Sequence, residues 1–308
     1  MDWRIKGVVQ KTLSVVPAGR KLNGLMQSRM GGLQRFDAMV EAKVINDWLV
    51  LLSHFRELQF PLAGKTAVEI GTGWFPTLPA CFAIAGVSRC LTFDVSRLLD
   101  WKLTQRMLVA LERHMGAVSA ATQIPYEEVH ARWGQLARAD SLQSFLDLAG
   151  IDYRAPGDAS RTGLDAGSVD IVFSNSVLEH VESAAIGQLM AETRRILRPG
   201  GVAVHSVNCG DHYAYFDRKV TQVHYLRFSS SQWRWWNNSM QYQNRLRAND
   251  FLEIAAREGL NIVLNKQKPR AELLARFDES QVAPEFRHYS REQLCTTSID
   301  FVAQAPAG

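Results

Sequence analysis

Several features that mark specialised protein classes are scarce in this chain. Among 308 residues there are four cysteines, Cys81, Cys90, Cys209 and Cys295, and none falls in a C-x-x-C spacing. Neither a zinc knuckle nor a dithiol redox motif is therefore expected, and buried free thiols in a reducing compartment are. No apolar run approaches the ~18–20 residues of a membrane span. The longest, Ala80–Val87 and Trp48–Leu52, have the length of core segments. The start of the chain lacks the apolar core of a signal peptide, so a cytoplasmic protein is expected. Eight histidines include no H-E-x-x-H or similar ligand spacing, and no metal is expected. Charge of one sign is also missing: 35 basic against 31 acidic residues leave +4, too little to imply a nucleic-acid partner. With 46% hydrophobic and 21% charged residues, disorder and coiled coil are excluded.

What is present is an alternation of two periods. Thr66–Ile70, Arg89–Val95, Ile151–Ala155, Val169–Ser176, Val202–Asn208, Leu260–Leu264 and Thr296–Gln304 read as strands. Between them, Pro76–Ile84, Arg97–Met115, Tyr126–Leu148, Ala184–Leu197 and Asn249–Glu258 read as helices. Such alternation predicts an α/β fold, a doubly wound, seven-stranded, mostly parallel sheet with helices on both faces. Before it, Phe36, Met39, Val40, Val44, Trp48, Leu51, Leu52 and Phe55 recur at helical spacing. The stretch 1–62 is expected to be a helical lid, 63–208 the ligand-binding core, 209–248 an insertion and 249–308 the end of the core sheet. In the first stretch Arg4, Lys6, Lys11, Arg20, Lys21 and Arg29 face one acid, Asp2. A docked cap with a solvated basic face is the favoured reading. Peripheral contact with an anionic membrane surface is the alternative.

The first strand ends in Glu69-Ile70-Gly71-Thr72-Gly73-Trp74-Phe75-Pro76. Glycines after a buried strand let backbone amides approach a ligand. Asp94 ends the next strand, where a carboxylate can hold both ribose hydroxyls of a nucleotide. A dinucleotide fits poorly. Its fingerprint wants glycine where Pro76 stands, and Glu69 would face a pyrophosphate with the wrong charge. The same acid suits a cationic ligand.

These segments resemble those of class I S-adenosylmethionine-dependent methyltransferases. Glu69–Gly73 is similar to the first family motif, Leu91–Asp94 to the second, Val169–Val181 to the fourth-strand motif and Leu197–Gly201 to the turn before the fifth strand. The resemblance implies S-adenosyl-L-methionine as cofactor and S-adenosyl-L-homocysteine as product. It implies that Glu69, Gly71 and Gly73 border the methionine part, that Asp94 holds the ribose, that Asp158 and Ala159 meet the adenine, and that Asn175 and Ser176 lie beside the methyl. Where many family members carry a third glycine this chain has Phe75, and the bulky Trp74 and Phe75 either pack as core or lid, or one of them walls the cofactor or the substrate. The N-terminal part resembles lids of small-molecule methyltransferases, and Gly73–Pro79 with the aromatic insertion looks loosely like bacterial members acting on small molecules or glycans.

For the acceptor side, His212, with Asp211 to orient it, is the expected general base in the loop after the fifth strand. His224 is a second candidate, while His180 and His205 are expected to be structural. Asp211–Arg247 carries nine aromatics with six arginines or lysines among them. Tyr213, His224, Trp236, Tyr242 and Arg245 are expected to bind a small-molecule acceptor through an oxygen or nitrogen, against the bland reading of a small subdomain with its own core. The amine-methylating tetrad of nucleic-acid enzymes is absent from Asn175–Leu178, which argues against a nucleic-acid acceptor. An RNA methyltransferase is the alternative, and an inactive binding protein, against which Glu69 and Asp94 argue, a further one. A monomer or homodimer is expected.

Overall fold

The computed structural model describes residues 2–15, 33–239 and 242–307. One sheet organises them: β1 (Thr66–Ile70), β2 (Arg89–Phe93), β3 (Ile151–Arg154), β4 (Val169–Asn175), β5 (Leu197–Asn208), β6 (Asn261–Gln267) and β7 (Ser298–Gln304). The strand order is β3-β2-β1-β4-β5-β7-β6. The first five strands pair in parallel, and β7 runs antiparallel to both β5 and β6. β4 is buried from Val169 to Ser174, as a central parallel strand must be when helices cover both faces. Chain progression reverses between β1 and β4, and that reversal leaves a crevice beyond their carboxyl ends.

Helices follow the strands: α1 (Trp3–Val15), α2 (Leu33–Ala42), α3 (Leu49–Glu57), α4 (Thr77–Ile84), α5 (Trp101–Glu112), α6 (Met115–Thr122), α7 (Tyr126–Ala137), α8 (Leu142–Leu148), α9 (Ser183–Ile196), α10 (Ser230–Trp236), α11 (Ala248–Arg257), α12 (Ala271–Arg276) and α13 (Arg291–Cys295). The period-2 alternation of the strands divides the core. Ala67, Ile171, Phe173 and Val204 face one way and pack with Val40, Trp48, Phe55, Phe82 and Leu111. Val68, Ile70, Val172 and Ala203 face the other and pack with Ile186, Met190 and Phe251 of α9 and α11. Arg97–Met115 and Tyr126–Leu148, read as single helices, are each split. Asp100 caps α5 by accepting from the Leu103 amide at 2.9 Å, and Ser141 caps α8 by accepting from Ser144 at 3.2 Å.

The stretch 1–62 does not behave as one lid. α2 and α3 sink Phe36, Val40, Leu51, Leu52 and Phe55 into the main core. Between them Lys43–Trp48 is a π-helical segment. One extra residue per turn keeps Val44 and Trp48 buried while turning Lys43 and Asp47 toward the crevice. α1 goes elsewhere. Its Trp3 joins Tyr213, Val220, Val223, Tyr225, Leu226 and Trp233 in a third core, completed by Val282, Ala283, Phe286 and Leu294. This cap therefore draws on the chain's first helix, the insertion after β5, and the 268–294 stretch between β6 and β7. Expected basic residues Arg20, Lys21 and Arg29 lie outside the described residues. On α1 the outward side carries Ile5, Val8 and Val9.

Candidate active site

Beyond the carboxyl ends of β1, β2 and β4 opens a cleft of about 810 Å³. Gly71, Gly73, Asp94, Asp158, Ala159, Asn175 and Ser176 all line it. Gly71 has φ +84°, and a Cβ there would meet Val177 Cγ2 at 2.5 Å, so backbone conformation and space both require glycine. Its amide donates to Phe93 O at 2.8 Å, folding the turn back over β2. The Asp94 carboxylate is fixed by two amides: Gly73 N–H donates to Oδ2 at 3.0 Å and Ser96 N–H to Oδ1 at 3.0 Å. Each oxygen keeps a further lone pair. Asp158 is held by Ser160, whose hydroxyl and amide donate to Oδ1 at 2.7 and 2.8 Å and keep its pKa below the usual range. Ser176 has φ +54°, with its amide donating to Ser206 O at 2.9 Å.

Glu69 sits deeper. It is buried, and its Oε2 has no hydrogen-bond partner. Burial raises its pKa to about 8; the positive charge of Lys43 opposes the shift and the negative charge of Asp94 adds to it. Lys43 and Asp47 of the π-helical segment line the cleft and escaped the sequence reading, because helical spacing alone gives no sign of an added residue in the turn. Burial also raises the pKa of Asp47, against Lys43 and a hydrogen bond with Asn175. Of the expected cofactor residues, neither the buried Glu69 nor Trp74 is part of the cleft wall, and Trp74 lies outside for the opposite reason. It is 42% exposed.

The acceptor-side expectations need more correction. His212 does not pair with Asp211. The Asp211 carboxylate accepts from Tyr213 N–H at 2.8 Å and lies 3.3 Å from His224 Nδ1, inside the cap. Adjacent side chains here point apart. His212 faces His180 instead, with ring centroids 5.1 Å apart, and Glu179 completes a cluster whose ligating atoms all lie within 4.8 Å of one another. Burial, with the nearby His180 and Lys6, lowers the His212 pKa to about 4, so its imidazole is neutral at pH 7. Glu179 is buried with its pKa raised to about 8. The amides of Glu179 and Asn208 lie near its carboxylate and offset part of that shift, without reaching hydrogen-bond geometry. His180 lines the cleft, and its Nδ1 lies 2.6 Å from Tyr242 O.

Four of the five expected acceptor contacts turn inward to the cap. Tyr213 donates to Trp236 O at 2.8 Å and packs on Trp3 at 5.3 Å. Trp236 and His224 also stack their edges against Trp3, at 4.6 and 5.0 Å. Arg245 donates to the carbonyls of Tyr225 and Phe228, to Ser230 Oγ and to Glu285, which binds three segments of the cap together. Tyr242 and Arg245 do border a separate groove of about 480 Å³ beside α10. His205, expected to pack, is fully buried with Nδ1 2.8 Å from Ser174 Oγ.

Residues 114–205 match the family model described as a methyltransferase domain. That match, less than a third of the chain, covers β3, β4 and the loop bearing Glu179 and His180. No curated protein matches the sequence. Among solved structures the chain is similar to a putative sarcosine dimethylglycine methyltransferase from Galdieria sulphuraria, at 12% identity over 84% of this chain and 85% of that one, TM-score 0.46. It is also similar to a geranyl diphosphate methyltransferase, at 14% identity over 89% and 91%, TM-score 0.46. A third is the complex of the Haloferax volcanii Trm112 methyltransferase activator with its putative methyltransferase, at 18% identity over 89% and 96%, TM-score 0.44. At these scores none bears on this chain's acceptor. The methyltransferase-domain match thus falls on a seven-stranded sheet of this order, with a glycine turn and an acid at its switch point. No helix among the described residues is long and apolar enough to cross a membrane.

Proposed function

We propose that this chain is a class I S-adenosylmethionine-dependent methyltransferase that methylates an oxygen or nitrogen of a small molecule entering the cleft beside Asn175 and His180. The observation that carries the reading is the convergence of Gly71, Gly73 and Asp94 at the crevice, with Glu69 buried behind them near the charges of Lys43 and Asp94. These residues fit the cofactor. The free lone pairs of Asp94 suit two ribose hydroxyls, Asp158 and Ala159 border the space for the adenine, and Gly71 and Gly73 leave room for the methionine part. Glu69 is an unpartnered acid that a cationic group would satisfy. When bound, S-adenosylmethionine supplies an electrophilic methyl group on a sulfonium. The chain's own task is to align the acceptor and exclude water. His212 contributes a neutral imidazole lone pair at the acceptor end, and Glu179, rather than Asp211, is the carboxylate beside it.

Calorimetric titration with S-adenosylmethionine and S-adenosylhomocysteine, followed by labelled methyl transfer to candidate alcohols and amines, tests this. One site of micromolar affinity for both is expected. A folded protein that binds neither would overturn the reading.

A peripheral contact with an anionic surface draws support from α1, whose apolar Ile5, Val8 and Val9 face outward between Arg4 and Lys11. Sedimentation with anionic but not neutral vesicles is the expected result, and equal recovery with both would remove it.

A further inference from the structure

Glu179, His180 and His212 come from the loops after two paired strands. β4 and β5 lie side by side in parallel, Ser174 opposite His205 and Asn175 opposite Ser206, so the segments that leave their carboxyl ends start together. Thirty-one residues of sequence lie between His180 and His212, and no local spacing betrays them. Their meeting point adjoins the cleft through His180.

The polar inventory there is unbalanced. Glu179 is 1% exposed, and neither carboxylate oxygen has a hydrogen-bond partner. His212 Nε2 is likewise buried without one. His180 directs Nδ1 at Tyr242 O, 2.6 Å away, which makes that nitrogen the N–H donor and leaves the Nε2 lone pair free. His212 is held from behind by its amide, which donates to Gln243 Oε1 at 3.2 Å. Two imidazoles with available lone pairs and one carboxylate thus share a partly dry spot, with one ring already oriented by a backbone carbonyl. That is the arrangement by which proteins hold a transition metal, second-layer hydrogen bond included.

We propose that Glu179, His180 and His212 bind a divalent first-row transition metal ion, such as Mn²⁺, Co²⁺ or Zn²⁺, at the acceptor end of the cleft. Two nitrogens and one oxygen disfavour Mg²⁺ and Ca²⁺, which prefer all-oxygen shells. The cluster is within reach of one ion. Metal–ligand bonds near 2.1 Å set neighbouring ligand atoms roughly 3–3.4 Å apart, so separations of up to 4.8 Å close by at most about 1.5–2 Å of side-chain adjustment. Three protein ligands leave coordination positions open toward the cleft, where an oxygen acceptor or water can take them. Lys6 of α1 lies near His212 with its pKa lowered by burial to about 7, and its charged form works against occupancy. The inference rests on the proposed methyl-transfer reading for the acceptor's location only. Metal binding is measurable without cofactor or acceptor.

The experiment strips the full chain with a chelator and titrates Mn²⁺, Co²⁺ and Zn²⁺ separately by calorimetry. The visible spectrum of bound Co²⁺ reports nitrogen and oxygen ligation. One equivalent with micromolar or tighter affinity is expected for at least one of the three. His212→Ala should weaken it at least 100-fold while leaving S-adenosylmethionine binding and the unfolding temperature near those of the parent. Lys6→Met should tighten it several-fold. Glu179→Gln should also abolish it; should that variant fail to fold, the His212 and Lys6 variants decide alone. Absence of stoichiometric binding in the parent, or binding that His212→Ala leaves unchanged, overturns the proposal, whatever the outcome with S-adenosylmethionine.

Discussion

At the cleft, Gly71, Asp94 and Asn175 border open space, whereas in the cap Tyr213, His224, Trp236 and Arg245 spend their polar groups on other cap residues. Both regions are loops rich in hydrogen-bonding residues, and in a one-dimensional sequence they look alike. What separates them is support. The cleft residues hang from the ends of a parallel sheet whose own ladder satisfies the backbone, so their polar atoms are available. The cap has no sheet. Its short helices must be joined by side chains, and the aromatic and arginine residues that resemble a binding surface are consumed as its framework.

Arg247 offers the sharpest way to break that comparison. It is fully buried, and its guanidinium donates to the carbonyls of Cys209, Leu294 and Thr296 and to the Tyr225 hydroxyl. Arg247→Ala leaves these acceptors without partners and should cost about 3–5 kcal/mol of stability in chemical denaturation. A loss under about 1 kcal/mol would mean that the cap is not held this way. Asp94→Ala acts in the opposite sense. It should weaken cofactor binding roughly 100-fold, about 2.7 kcal/mol, by calorimetry, with a smaller effect on unfolding. Arg245→Ala should lower stability by about 2 kcal/mol and leave the cofactor Kd within about two-fold. A raised acceptor KM in a variant of undiminished stability would instead return Arg245 to the acceptor site.

The smallest effect expected is a proton count. With its pKa at about 8, Glu69 is largely protonated at pH 7, and a bound cationic group favours the ionised form. Binding at pH 7 should therefore release up to one proton, and affinity should rise with pH through about 8 before levelling. Calorimetry in two buffers of different ionisation enthalpy reads this directly. Identical enthalpies in both would show that Glu69 stays neutral in the complex.

The strands, their mostly parallel pairing and the convergence of the cleft residues were legible because each depends on local pattern: buried β runs, glycines at a turn that needs positive φ, an acid closing the next strand. The Lys43–Asp47 contribution was not legible, since a π-helical segment preserves the apolar stripe while shifting its polar flank. Nor was the Glu179–His180–His212 cluster, which exists only through the lateral pairing of β4 with β5. Asp211 and His212 mislead for the converse reason: neighbours in sequence diverge at the start of a 3₁₀ turn, where Asp211 serves as cap. Trp74 misleads because bulk beside a glycine turn says nothing of direction.

The docking of Trp3 bears on the order in which the molecule is made. The Trp3 amide donates to the Asp217 carboxylate at 3.2 Å, and the Trp3 ring sits in a core closed by Leu294. At the ~5–20 residues per second of synthesis, Trp3 leaves the ribosome roughly 15–60 s before the last of its partners is made. The strands that border the cleft, β1, β2 and β4, are complete by Asn175 and can pair meanwhile. The strands of the cleft can thus pair while the amphipathic helix α1 still lacks the segments it docks on, so the cap closes last.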